Sequence, residues 1–284
     1  MASTFVPAIT RLGFDETASP PWLMVPAAGG TKTVILRDGD GLSLNIAKTG
    51  IVTFKELSPT PAGRPIVITG ANPGTVRLEA TGSGQATLEI TVKAQKRLST
   101  FIHFVFDKSQ RSSNKGAPEA REMMELANKL LAPWVNVMMF RRDSGGFSLP
   151  FDLPLGVPAG DASVESLILS HRDPQSDYNI FFVHKVYDPT NKGVTVAYSP
   201  GDPNGPALSV LNCCIMPDIS GWPEVAHELG HFLLNGYPLL DPRYPNTGHP
   251  KGAPRDNLMT TVPNTSSVNI PKPQANFMNP SGNP

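Results

Sequence analysis

The pentapeptide His227-Glu228-Leu229-Gly230-His231 constrains this chain more than any other stretch. Its two histidines act together if the segment is helical, because side chains four residues apart lie on one face of an α-helix. His227 and His231 can then present two imidazoles to a single metal ion. Glu228, beside the first of them, is placed to serve as a general base rather than as a ligand. The flanks read as a helix too. Pro223 suits a first turn, where its missing N–H costs nothing, and Glu224 suits the positive helix N-terminus. Asn235 and Gly236 supply a stop. Val225, Leu229, Phe232 and Leu233 recur at helical spacing, so one face is expected to pack while the adjoining face holds metal.

Composition narrows the function classes. The 24 Lys and Arg balance the 24 Asp and Glu, so nothing electrostatic favours nucleic acid or an acidic membrane surface. Charged residues are only 17% of the 284, whereas proline occurs 30 times, which favours β-rich, loop-rich architecture. No segment approaches the roughly 18 consecutive apolar residues of a membrane-spanning helix. Met1-Ala2-Ser3-Thr4-Phe5 lacks a basic region followed by an apolar core, so no Sec signal is expected here. Secretion or delivery by a non-Sec route is the expectation, with a cytoplasmic location as the alternative. The two cysteines, Cys213 and Cys214, are adjacent. They read as free thiols in a buried strand, since a bridge between neighbours is strained.

The organisation is α+β, in two domains. Residues 1–20 read as an irregular lead-in. From Trp22 to about Lys96, short alternating runs such as Thr75-Val76-Arg77-Leu78-Glu79-Ala80 are punctuated by Gly and Pro, the pattern of an antiparallel sandwich. The text from Gly74 to Val92 resembles the last hairpin of bacterial Ig-like domains, so 1–96 is expected to be an Ig-like β-sandwich. Gln95-Lys96-Arg97-Leu98 reads as the linker. The second domain, 97–284, opens with a strand at 100–106 and a helix carrying Ala120, Met123, Met124, Ala127, Leu130 and Leu131 at helical spacing. A strand at 135–140 follows. Residues 143–176 read as loop with a short helix near 163–169. Strands at 178–186, 193–198 and 208–215 lead into the motif helix. The Pro- and Asn-rich last twenty or so residues read as an extended tail.

A catalytic zinc takes three protein ligands and leaves a position open. Downstream of His231 the chain contains no Glu, and the candidates are His249, Asp241 and Asp256. His249, in Asn246-Thr247-Gly248-His249-Pro250, is the one histidine C-terminal to the motif. Further on comes Asn257-Leu258-Met259-Thr260. A strand–helix–strand opening, three more strands, an H-E-L-G-H helix, a later His and an N-L-M segment together resemble the metzincin zinc peptidases. Two features depart from that family. Leu234 stands where it carries glycine, and His249 lies eighteen residues after His231 (249 − 231).

The resemblance implies Zn²⁺ held by His227, His231 and His249, with Glu228 as base and Met259 in a tight turn beneath the metal. Tyr237 and Tyr244 become candidate oxyanion donors. The strand ending at Asn212-Cys213-Cys214 becomes the expected edge for an extended peptide. The implied activity is a zinc-dependent endopeptidase acting on protein or peptide substrates, monomeric, as a secreted bacterial protease or toxin effector. Two alternatives stand beside it: a binding or adhesion protein with a structural or inactive metal site, and a zinc hydrolase of a non-peptide amide such as a cell-wall bond.

Overall fold

A computed structural model describes residues 3–9, 12–152, 170–184, 194–197, 210–234, 254–260, 265–266 and 268–283. The chain divides into two compact units. The first comprises Met1–Lys96, Leu130–Val137 and Asn269–Pro284; the second comprises Arg97–Lys129 and Met138–Val268.

The first unit is a β-sandwich of two sheets. Strands β1 (Thr4–Pro7), β4 (Thr31–Arg37), β7 (Arg64–Gly70) and β6 (Val52–Glu56) form one sheet, in the order β1-β4-β7-β6. The other contains β2 (Phe14–Asp15), β3 (Trp22–Pro26), β9 (Gln85–Lys93), β8 (Gly74–Thr81) and β5 (Ser43–Ile46), in the order β2-β3-β9-β8-β5. The pairings are antiparallel except β3 with β9, which is parallel. Alternation explains the core. On β8, Val76, Leu78 and Ala80 are buried while Arg77 and Thr81 are exposed. Register puts Val76 opposite Ile90 and Leu78 opposite Leu88, so one face of the hairpin is continuously apolar. That face shares a core with Val34, Leu36, Ile66 and Ile68 of the other sheet.

The lead-in expected at 1–20 is not irregular. β1 pairs with β4 and β2 with β3, and Phe5 and Phe14 are buried in the same core. Their apolar side chains are too few for a periodicity signal, but each completes a sheet.

In the second unit β10 (Lys96–Phe106), β11 (Val137–Ser148), β12 (Tyr178–Val183), β13 (Val194–Ala197) and β14 (Val210–Pro217) form a five-stranded sheet, order β11-β10-β12-β14-β13. β10, β12 and β14 are parallel, and β13 runs antiparallel to β14. Every residue of β12 is buried, as expected for a central parallel strand covered on both faces. Helix α1 (Ala117–Val135) lies between β10 and β11 in sequence, with Ala120, Met123, Met124, Ala127, Leu130 and Leu131 all buried. Helix α2 (Trp222–Leu233) follows β14.

Three expectations change in this part of the chain. β11 continues to Ser148, across residues read as the start of a loop. The strand ending at Asn212-Cys213-Cys214 is not an edge: Cys213 pairs with Asn179 on one side, while Cys214 pairs with Thr195 on the other. β13, read as just another strand, covers it and is itself terminal in the sheet. The last residues are not an extended tail. Helix α3 (Lys272–Met278) buries Gln274, Ala275 and Met278 and belongs to the first unit. The short helix expected near 163–169 lies outside the described residues.

The C-terminal segment is held by polar contacts that composition conceals. The Asn279 side-chain amide donates to the carbonyls of Ala94 (2.9 Å) and Val135 (2.7 Å). Lys93 Nζ donates to the Asn279 carbonyl at 2.5 Å, and the Thr75 hydroxyl donates to that of Gly282 at 2.8 Å. Gly282 has φ +81°, and a Cβ there would lie 2.1 Å from the Val92 carbonyl oxygen, so only glycine fits. Among the described residues, no helix is long and apolar enough to cross a membrane.

Candidate metal centre

Helix α2 starts as its sequence suggests. Pro223 sits in the first turn, and the backbone N–H of Gly221 donates to Glu224 Oε2 at 2.9 Å. That bond satisfies a donor which the helix itself leaves open. The helix ends at Leu233; the expected stop at Gly236 lies outside the described residues. Burial is wider than an amphipathic stripe would give. Val225 and Leu229 are buried as expected, but so are His227 (3% exposed) and Glu228 (5% exposed). The motif face is therefore enclosed, and the segment around Asn257–Thr260 helps to enclose it.

That segment is a tight turn. The Thr260 N–H donates to the Asn257 carbonyl at 3.1 Å, and the Met259 N–H donates to Asn257 Oδ1 at 2.8 Å. Asparagine suits this position because its side chain bonds the backbone two residues on. Leu258 and Met259 are fully buried, and the Leu258 carbonyl accepts a hydrogen bond from His227 Nδ1 at 2.7 Å. A carbonyl can only accept, so Nδ1 carries a proton, and in the neutral imidazole Nε2 keeps its lone pair.

His231 Nε2 stands 3.1 Å from His227 Nε2, with the rings at 89° to each other. Two nitrogens, each about 2.0–2.1 Å from one zinc at a tetrahedral angle, stand roughly 3.3 Å apart. The separation and the perpendicular rings fit a shared metal. The same approach also accommodates one Nε2–H···Nε2 hydrogen bond between the rings.

The structure brings together His227, His231, Glu228 and the turn of Met259. Among the described residues, no third His, Cys, Asp or Glu joins the pair as a ligand set. Asp256 is exposed and takes no part in such a set. His249, Asp241, Tyr237 and Tyr244 lie outside the described residues. Cys213 and Cys214 form no disulfide and are fully buried, as their place in an apolar strand suggested. Burial pushes the Cys214 thiol well above its usual pKa, which keeps it inert as a nucleophile. Burial does the same to the phenol of Tyr178, reinforced by Cys214 and by the charge of Glu228. Tyr178 also packs its ring against Phe232, centroids 5.2 Å apart.

Two contributors escaped the sequence reading: the Leu258 carbonyl that orients His227, and the Asn257 side chain that shapes the turn presenting it. The N-L-M segment was the available signal, but it drew attention to the methionine. A backbone carbonyl leaves no mark in a sequence.

No protein-family model matches the chain, and no curated protein matches it. Among solved structures, domains 4 and 5 of the S-layer protein SbsC overlap at 16% identity, covering 25% of this chain and 46% of that one, with a TM-score of 0.19. A chain from a chaperone–substrate complex overlaps at 16% identity, covering 77% of this chain and 37% of its own length, with a TM-score of 0.30. A tri-modular endo-β-1,4-glucanase from Bacillus licheniformis overlaps at 15% identity, covering 40% and 24%, with a TM-score of 0.19. This chain spans less than half the length of each of the three, and overlaps of that extent assign it neither fold family nor activity.

Proposed function

We propose that this chain is a zinc-dependent endopeptidase of metzincin-like type, carrying an Ig-like β-sandwich. One observation carries the reading: the Nε2 atoms of buried His227 and half-buried His231 stand 3.1 Å apart on a single helix, with the Leu258 carbonyl fixing the tautomer of His227. The strand, helix, strand, three strands and motif helix of the second unit support it, as does the tight turn at Met259.

His227 and His231 would hold the ion through Nε2, with His249 as the proposed third ligand. Zinc bound there would acidify a water and polarise a substrate carbonyl. Glu228 accepts a proton from the attacking water and returns it to the leaving amine. Its enclosed position excludes bulk water, which strengthens its electrostatic action. An extended substrate would pair with β13, the terminal strand beside β14, through backbone hydrogen bonds. Protein or peptide substrates, a monomeric state and a secreted or non-Sec-delivered location complete the proposal.

The test pairs metal analysis with a casein or peptide-library assay on wild type and Glu228→Gln. The expected result is one bound zinc in both proteins and hydrolysis by wild type alone. Wild-type hydrolysis by the variant would remove Glu228 from its role. Zinc without cleavage of any protein substrate would favour a structural site or an amide of another class.

A further inference from the structure

The first unit holds a cavity of about 230 Å³ at one end of its sandwich, remote in sequence from the motif helix. Pro7, Ile9, Leu12, Phe14, Leu23 and Val34 supply apolar wall, Thr31 and Thr33 line it too, and Lys32 supplies a cation. Lys32 is unusual by strand logic. Side chains two apart on a strand share a face, and on β4 the row Lys32, Val34, Leu36 runs into the core, with Val34 and Leu36 fully buried. On one side Lys32 pairs with Ile68 of β7, and on the other the pairing with β1 stops at Val34.

The lysine is also under-used. Its Nζ donates to the Leu12 carbonyl at 3.0 Å. An ammonium carries three N–H groups, and no carboxylate pairs with Lys32 among the described residues. Burial lowers its pKa from the ordinary lysine value, in keeping with an uncompensated cation against apolar walls. At the rim, Ile9 is 91% exposed, an apolar side chain left in water beside an apolar cavity.

We propose that this cavity binds a small apolar monocarboxylate, its carboxylate paired with Lys32 and its hydrocarbon body set against Pro7, Phe14, Leu23 and Val34. Among the described lining residues, the single cation, Lys32, matches one negative charge. A volume equal to about eight water molecules suits a chain of roughly six to eight carbons.

The test is a titration of the full chain with sodium octanoate and with octanamide, its uncharged counterpart, followed by backbone amide shifts. Octanoate should bind saturably, with Kd around 1 mM or below and at least tenfold tighter than octanamide. The shifts should cluster at Leu12, Phe14, Lys32 and Val34. Lys32→Met should abolish the preference for the acid, and Lys32→Arg should keep it. Equal binding of the two compounds, no saturable binding, or shifts clustered elsewhere would overturn the proposal. If Lys32→Met fails to fold, the comparison of acid with amide on the wild-type chain decides alone.

Discussion

Asn257→Ala separates a metal site built around His227 from a helix that merely carries two histidines. Asn257 is 3% exposed, and its Oδ1 accepts the Met259 N–H at 2.8 Å inside a fully buried turn. Alanine leaves that N–H without its acceptor, a loss of about 1–3 kcal/mol in folding stability. The same turn holds the Leu258 carbonyl 2.7 Å from His227 Nδ1. Groups that orient a ligating histidine change metal affinity by about 10–100-fold, equivalent to roughly 1.4–2.7 kcal/mol. Zinc affinity should therefore fall about 10–100-fold, and urea denaturation of the metal-free protein should show a loss of about 1–3 kcal/mol. Competition with a chromophoric chelator measures the affinity. Asn257→Asp, which keeps an acceptor oxygen, should restore most of it. If stability fell while zinc affinity stayed within about twofold of wild type, the turn would be structural only, and the orienting role of Leu258 would be refuted.

Further outcomes can be measured independently. Burial holds the Lys93 ammonium down to about 8 from 10.5. Between those two pH values the unfolded chain binds a proton that the native chain lacks, so this group's contribution to stability rises with pH across that window and is least favourable below it. Denaturation from pH 7 to 11 should show that rise in the difference between wild type and Lys93→Met; a flat difference would contradict it. Gly282→Ala places a Cβ against the Val92 carbonyl at positive φ and should cost about 2 kcal/mol or more, read as a lower melting temperature. Gln274 is fully buried, and neither of its amide atoms has a hydrogen-bond partner among the described residues. Gln274→Leu should therefore stabilise the chain by about 1–3 kcal/mol; a lower melting temperature would mean that water satisfies the amide. His249→Ala should weaken zinc binding, and unchanged zinc content would move the third ligand to another residue.

The sandwich was legible because its signal is local: alternation along β8 and β9 specifies a face, and register then pairs Val76 with Ile90. The helical spacing of α1 and of the motif was legible for the same reason. Three features were less legible. β1 and β2 are too short to show a period, and exist because an open sheet position awaits each of them. The resemblance made β14 the expected edge, but strand order is decided by which neighbour covers it. The C-terminal segment looked extended because Pro and Asn are breakers in isolation. In the fold, Pro273 falls in the first turn of α3 and the Asn279 amide closes two open backbone carbonyls.

The motif shows the same division. By itself the sequence determined that His227, Glu228 and His231 share one turn of helix, because periodicity of 3.6 residues is a property of the backbone. It also marked the Asn257-Leu258-Met259 segment by composition. Only the tertiary structure decided that the motif face is enclosed, that the turn reaches across thirty-one residues (258 − 227) to meet it, and that the two Nε2 atoms converge. The physical reason is that ring orientation depends on what the other nitrogen bonds, and that partner is a backbone carbonyl carrying no side-chain identity.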